Sequence, residues 1–182
     1  MFKKVLLTIG LIASVIVFIG CQQAAEGGDL FFYTQTADEI ANWTSMVTPG
    51  GGEGSVELGD DVAIIKAAED GWGGVQSEEV SIDLTKDPMF FVRVKEANDG
   101  FMWGAKFVPN SPAIDEHAWG VYLIEDNDFK WNNYAAVELK DKLGEDFISL
   151  YGEEIEGVLW IYATGGPEAE VEISEVKMLN QE

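Results

Sequence analysis

The chain of 182 residues is long enough for one domain and a short additional segment, and its hydrophobic content of 47% is enough for a full core. Its 33 acidic residues outnumber 11 Lys and Arg, which gives a formal net charge of −22 with no basic stripe. Because such a field repels phosphates and anionic lipid surfaces, the sequence excludes nucleic-acid binding as a function.

The first 20 residues are predicted to be a secretory signal peptide. Lys3 and Lys4 make a short basic start, Val5–Gly20 is apolar and uncharged, and a small residue then precedes Cys21. A charged start, an apolar middle and a small-residue end form the pattern of a signal peptide, whereas a permanent transmembrane helix needs about 20 apolar residues with flanking anchors. We therefore expect residues 1–20 to be removed.

Cys21 is the only cysteine, so it cannot form an internal disulfide. The segment "VFIGC", which ends at this residue, resembles the lipobox of bacterial lipoproteins, and the resemblance implies that Cys21 carries a lipid. Residues 21–29 are polar, small and glycine-bearing, which is typical of a flexible tether. The sequence thus predicts a domain over residues 30–182 that its lipid anchor holds on a membrane, outside the cytoplasm in the cell envelope.

The domain contains eight short runs that are rich in β-branched and aromatic residues. In chain order they are "DVAIIKAAE", "EEVSIDL", "PMFFVRVKE", "GFMWGAKFV", "AWGVYLIED", "YAAVELK", "GVLWIYATG" and "AEVEISEVKML". Turn formers such as "EDGWGG" and "EANDG" separate them. Val80, Ile82 and Leu84 alternate with Ser81 and Asp83, the period of two that a sheet with one solvated face requires. This spacing predicts an all-β fold, an antiparallel β-sandwich in a single domain.

Two segments depart from the strand pattern. The segment "TADEIANW", residues 36–43, is predicted to hold a helical turn with Thr36 as its cap. The segment "LKDKLGEDFISLYG", residues 139–152, has mixed spacing and is predicted to hold a second short helical turn.

Three blocks of the domain occur in an order that carries a family resemblance. They are Asp83, Leu84, Pro88 and the strand at 90–94, then Gly120, Val121 and Tyr122, and finally the closing strands "VLWIYATG" and "VEISEVKML". Over residues 36–179 the chain resembles the galactose-binding-like jelly rolls that serve as carbohydrate-binding modules. The resemblance implies a jelly roll that binds glycans through aromatic side chains in loops or on a concave face.

Two features of the sequence bear on calcium. Modules of this kind often end in a strand whose Ile-Asp-acidic run helps to hold a structural calcium ion, but here Ile173 is followed by Ser174. The loop "EDNDF" offers Asp126 and Asp128 as oxygen ligands, without the glycine and the distal glutamate of an EF-hand. We therefore predict no cofactor, with calcium at Asp126 and Asp128 as the alternative.

Trp72 and Trp131 are predicted to stack on sugar rings. Trp72 lies between glycines and Trp131 among polar residues, so both are assigned to exposed loops, where contact residues are commonly displayed. For Trp72 the alternative is a lid over an edge of the core. Arg93, Trp119 and Tyr122 are candidates for a ligand-binding site on a concave face.

The other tryptophans are assigned from their neighbours in the sequence. Trp43 is predicted to pack in the core. Trp160 is also assigned to the core, because Leu159 and Ile161 make both faces of its strand apolar. For Trp103 the pattern leaves core and binding face open.

The predicted function is non-catalytic carbohydrate binding at the cell surface. His117 is the only histidine and has no nucleophile specified beside it, and a polar strand face is the simpler explanation of Glu170 and Glu172 than a pair of catalytic acids. Two alternatives remain. A structural or protein-interaction lipoprotein of the envelope would present a large apolar patch to a protein partner, and a small glycan-cleaving enzyme would present two facing acids in a cleft.

Overall fold

Two antiparallel sheets of unequal size begin at Phe31, and all of their strand pairings are antiparallel. The structure, a computed structural model, describes residues 31–47, 52–125, 130–131 and 133–181, with the backbone alone at 130–131. The predicted signal peptide, the tether with Cys21, and the loop residues Asp126 and Asp128 lie outside the described residues.

Within the described residues the larger sheet has seven strands: six follow the order β3-β4-β12-β6-β10-β9, and the seventh, β1, pairs with β12. Its strands are β1 (Phe31–Thr36), β3 (Ser55–Leu58), β4 (Ala63–Lys66), β6 (Met89–Ala97), β9 (Lys130–Trp131), β10 (Tyr134–Glu138) and β12 (Glu170–Leu179). The last strand of the chain therefore lies inside the sheet, where it pairs with β1 and β4 along one edge and with β6 along the other.

The smaller sheet, as far as the chain is described, has five strands in the order β2-β5-β11-β7-β8. Its strands are β2 (Thr44–Ser45), β5 (Trp72–Asp83), β7 (Met102–Pro109), β8 (Val121–Ile124) and β11 (Glu154–Thr164). β11 lies at the centre of this sheet and pairs with β5 on one side and β7 on the other, so its side chains mark the middle of both faces.

Alternate residues of both sheets meet in one core. On β6, Phe90 and Val92 are fully buried, and on β11, Leu159 and Ile161 are buried in the same cluster. Side chains at the intervening positions, such as Phe91, lie on the opposite face of their sheet. Two sheets packed through inward-facing apolar residues form a sandwich, and the predicted all-β antiparallel class is confirmed.

Both predicted helical segments are present. α1 (Ala37–Ile40) follows Thr36, whose backbone N–H and hydroxyl donate hydrogen bonds to the Glu39 carboxylate at 2.7 and 2.9 Å. These bonds, led by the one from the backbone of Thr36, hold the pKa of Glu39 below its ordinary value. α2 (Leu139–Tyr151) is longer than the short turn that the sequence predicted, and it is kinked at Gly144, which has a φ of +77°.

α2 packs against β8 and β10 and closes one side of the sandwich. It buries Leu139, Leu143 and Phe147, which join the core cluster. Among the helices of the described residues, none is long and apolar enough to cross a membrane.

Candidate functional site

The glycines around Trp72 serve close packing of the backbone. Gly71 has a φ of +83°, which closes the turn before β5, and a Cβ atom built on Gly73 would lie 2.7 Å from the backbone N of Ala68. On the other side, a Cβ atom built on Gly74 would lie 2.6 Å from Cα of Tyr162. Trp72 is therefore the half-buried first residue of β5, and its assignment to a flexible, exposed loop is wrong.

The register of the smaller sheet gathers aromatic residues on the face that points away from the core. Residues that pair across neighbouring strands form three adjacent rows on this face. The first row is Trp72, Thr164 and Met102, the second is Gly74, Tyr162 and Gly104, and the third is Gln76, Trp160, Lys106 and Tyr122. We call the surface formed by Trp72, Trp160, Tyr162, Tyr122 and Lys106 the aromatic platform. It spans four neighbouring strands, β5, β11, β7 and β8.

The rings of the platform contact one another around Tyr162. The Trp72 ring centroid lies 5.9 Å from that of Tyr162 and 6.4 Å from that of Trp160, and the Tyr122 centroid lies 6.5 Å from that of Tyr162. A Cβ atom built on Gly104 would lie 2.7 Å from Cζ of Tyr162, so the tyrosine ring occupies the space that a side chain at 104 would need. Tyr162 is 6% exposed and Tyr122 is 47% exposed, so the first forms the floor of the platform and the second its rim.

Lys106 brings a positive charge into the platform. It is the one charged residue that is buried among the described residues, with 7% of its surface exposed. Its ammonium donates a hydrogen bond to the carbonyl oxygen of Trp119 at 3.0 Å and lies 4.1 Å from the ring centroid of Tyr122 and 5.7 Å from that of Tyr162. The two ring contacts are cation–π interactions, which stabilise a positive charge against an aromatic face.

Trp160 contributes a polar atom as well as a ring. Its side chain is half-buried on the platform, so the assignment of Trp160 to the core is wrong. The indole Nε1 atom is shielded from solvent and has no hydrogen-bond partner among the described residues. A shielded donor without an acceptor is unfavourable by about 1–3 kcal/mol.

Trp119 borders the platform at the end of the 3-10 turn Asp115–Trp119, where 51% of its surface is exposed. His117, in the same turn, is half-buried and bonded through Nδ1 to the Tyr151 hydroxyl at 2.9 Å. The same hydroxyl accepts a hydrogen bond from the backbone N of Ala113 at 2.7 Å. His117 therefore joins this turn to α2, which positions Trp119 beside Lys106.

Among the described residues, no carboxylate belongs to the three rows of the platform. Glu79 enters in the next row, opposite Val158, and Glu156 follows opposite Ser81. In a chain with 33 acidic residues, this part of the sheet therefore presents rings, amide and hydroxyl groups and one cation.

Arg93 lies on the other sheet. It belongs to β6, and its guanidinium carbon is 5.6 Å from the ring centroid of Tyr134 on the outer face of the larger sheet. Trp119 and Tyr122 border the smaller sheet, so a concave site that combines Arg93 with these two residues is wrong.

The outer face of the larger sheet carries an apolar groove of about 470 Å³. The residues that line it are Phe31, Met89, Phe91, Tyr134, Ala136, Lys177 and Leu179. Its ring pairs, Phe31 with Phe91 and Phe91 with Tyr134, have centroids 6.4 and 6.3 Å apart. We call this surface the apolar groove.

The polar groups at the apolar groove bond to each other. The Tyr134 hydroxyl donates to Glu175, and the Lys177 ammonium lies 2.6 Å from the same carboxylate. Burial opposes the ionised form of Glu175, yet hydrogen bonds from Lys177 and Tyr134 hold its pKa below the ordinary value. Burial, aided by the hydrogen bond to Glu175, raises the pKa of Tyr134.

Comparison of the chain with protein-family models, with curated proteins and with solved structures finds no match. The residues of the platform and the groove are therefore interpreted from their own geometry.

The remaining predicted residues have separate locations. Trp43 is in the core, as predicted, and Trp103 is also buried there, at 2% exposure. The backbone of Trp131 forms β9, in the larger sheet, so its assignment to a loop is wrong, and its side chain is outside the described part of the chain. Within that part, no cluster of three or more His, Cys, Asp or Glu residues could hold a metal ion.

Sequence reasoning missed Trp160, Tyr162 and Lys106 as platform residues. The sequence pattern could not assign Trp160 and Tyr162 to the outer face of β11, because Leu159 and Ile161 at the alternate positions are equally apolar. The one signal for Lys106 is a lone cation inside the apolar run of β7, flanked by Ala105 and Phe107.

Proposed function

We propose that the chain is a non-catalytic, carbohydrate-binding lipoprotein of the cell envelope and that it holds a glycan on the aromatic platform. The observation that carries the proposal is the cluster of Trp72, Trp160, Tyr162 and Tyr122 on one outer sheet face. Faces of aromatic rings bury the apolar faces of sugars, and polar groups between them bond the hydroxyls. The galactose-binding-like jelly roll, which the sequence resembles, is part of this proposal.

The polar groups of the platform suit a sugar. The Lys106 ammonium and the Trp160 Nε1 atom are donors, and Gln76 in the same row offers both a donor and an acceptor. Trp119, whose carbonyl oxygen accepts a hydrogen bond from Lys106, and Tyr122 are both exposed and would be accessible to a sugar bound there.

Binding without chemistry is favoured by the distribution of acids. Glycoside hydrolysis in most families uses two carboxylates that flank the scissile bond, about 5–10 Å apart. A glycan on the platform would lie over three rows without a carboxylate. Glu170 and Glu172, the pair that a glycan-cleaving enzyme could use, belong to β12 in the other sheet.

The membrane anchor is proposed from the sequence of residues 1–29. If Cys21 carries the lipid, Cys21→Ser should leave the signal uncleaved or release the protein from the membrane fraction. Fractionation and mass spectrometry of the two proteins measure this. A Cys21→Ser protein that is processed and sediments with membranes like the parent would contradict the anchor.

A glycan array probed with the purified full-length protein in mild detergent tests the proposed function. We expect a subset of glycans to bind, and Trp160→Ala to lose this binding. Phe91→Ala in the apolar groove is the matched control and should retain it. The absence of binding to any glycan, or a loss of binding in Phe91→Ala alone, would contradict the proposal.

The apolar groove is the feature that fits the alternative, a structural or protein-interaction lipoprotein, because contiguous apolar surface is typical of protein contacts. We rank this function second, since Tyr134, Glu175 and Lys177 already bond to each other and direct few polar groups outward.

A further inference from the structure

Lys106 is unusual for its position. Its ammonium is buried on the outer face of a sheet, in a chain whose net charge is −22. Burial of a charge is costly unless the charge is paired and hydrogen-bonded. A carbonyl oxygen and the faces of two tyrosines carry only partial negative charge, so they compensate the ammonium in part.

The ammonium has further hydrogen-bonding capacity. It has three donors, and within the described residues the carbonyl oxygen of Trp119 is the acceptor of one of them. Tyr122, whose ring centroid lies 4.1 Å from the ammonium, is 47% exposed, and Trp119 is 51% exposed. The strand that carries Tyr122, β8, is the last strand on its side of the sheet, so the approach to Lys106 from this edge is bordered by exposed side chains.

The surroundings favour a negative partner over a neutral one. The three platform rows hold Lys106 and no carboxylate, while the next rows hold Glu79 and Glu156. A ligand group bound on these rows would therefore meet one cation there, while Asp115 and Glu116 belong to the turn of Trp119 and Glu125 follows β8. The long-range repulsion from the acidic chain is screened over about 10 Å at 0.1 M salt, whereas a contact with the ammonium lies well inside that distance.

We propose that the glycan bound on the platform carries a carboxylate, as uronic acids do, and that Lys106 recognises it. This inference rests on the proposed carbohydrate-binding function and names the class of sugar. The carboxylate would accept a charge-assisted hydrogen bond from the Lys106 ammonium while the sugar ring lies on the aromatic faces. Lys106 would thereby determine specificity, and the rings would provide the contact area.

Calorimetric titration at 0.15 M salt with matched ligands tests the inference on the full-length protein in mild detergent. The probes are oligomers of galacturonate, mannuronate and glucuronate, each paired with the same oligomer after reduction of its carboxyls to primary alcohols. We expect at least one uronate to bind about tenfold more tightly than its reduced partner, the order of one charge-assisted hydrogen bond. This comparison needs no variant, so it stands even if a substitution at position 106 prevents folding.

Lys106→Met should remove the preference for the uronate and leave the reduced oligomer bound about as before. Lys177→Met is the matched control, because Lys177 also lies over an aromatic ring, 4.7 Å from the centroid of Phe31, but on the other sheet. It should retain the preference.

Each contrary result has a separate meaning. Equal or tighter binding of the reduced oligomers, or binding of neutral array glycans with no uronate, overturns the carboxylate inference and leaves the proposed function standing. A preference that persists in Lys106→Met overturns the role of Lys106. If neither these oligomers nor any array glycan binds, the proposed function fails and the inference fails with it.

Discussion

The outer faces of the two sheets both display aromatic rings, but they differ in what their polar groups do. In the apolar groove, Tyr134 and Lys177 direct their polar atoms at Glu175. In the aromatic platform, the Trp160 Nε1 atom has no partner among the described residues and the ammonium of Lys106 is held by one carbonyl and two rings. The two surfaces therefore differ in the polar contacts between their rings: an ammonium paired with a carboxylate in the groove, and an ammonium held by a carbonyl oxygen on the platform.

The difference has a structural origin in the two registers. The platform places glycines at 74 and 104 on either side of Tyr162, so its ring lies low and the neighbouring rings meet above the strands. At the groove, Phe91 lies opposite Ala136 and Lys177, and residues of β1, β6, β10 and β12 line a volume of about 470 Å³.

The largest effect is expected from loss of the platform floor. Tyr162→Ala should lower the free energy of unfolding by about 3 kcal/mol, since a nearly buried ring is removed, and it should also abolish glycan binding. Denaturant titration and calorimetry measure the two quantities. Retained glycan binding in a folded Tyr162→Ala protein would show that the comparison of the two faces is wrong.

Gly104→Ala should have the next largest effect. The added Cβ atom would meet the Tyr162 ring, so the free energy of unfolding should fall by about 1–3 kcal/mol and glycan binding should weaken as the ring moves. A chemical-denaturation midpoint equal to that of the parent would contradict the close approach of Gly104 and Tyr162.

Trp72→Ala should weaken glycan binding by about 1–3 kcal/mol, the order expected when a large ring loses its burial. Because Trp72 also contacts Trp160 and Tyr162, we expect a loss of about 1 kcal/mol of stability, where an exposed loop residue would lose almost none. Phe91→Ala is the control that sharpens the comparison: it should lower stability without affecting glycan binding. If Phe91→Ala weakens binding as much as Trp72→Ala, the platform is not the site.

The smallest expected effect is on the pH dependence of stability, which should distinguish the groove from the platform. The pKa of Glu175 is lowered in the folded state, so its bonds contribute stability above its ordinary pKa of 4.5, and this contribution is lost as the pH falls through the lower, folded value. Glu175→Gln should therefore reduce the loss of thermal midpoint between pH 5 and pH 3, while Lys106→Gln on the platform should not. An identical acid response in Glu175→Gln and the parent would contradict the pairing at the groove.

The sequence by itself determined the elements that carry local patterns. All eight predicted runs are strands, β4 to β8 and β10 to β12, because each combines β-branched or aromatic residues with turn formers at its ends. The helical turn after Thr36 was also predictable, since a cap residue with Glu39 three positions later is a local signal.

Only the tertiary structure decided the rest. β2 and β9 have two residues each and no pattern of their own, so their pairing partners define them. On β11, both alternate sets of residues are apolar, and the packing of the larger sheet against Leu159 and Ile161 is what leaves Trp160 and Tyr162 on the outside. Arg93 and Tyr122 lie on different sheets, which the sequence could not show. The side-chain period of two predicts which residues of one strand share a face, but it does not predict which strands belong to the same sheet.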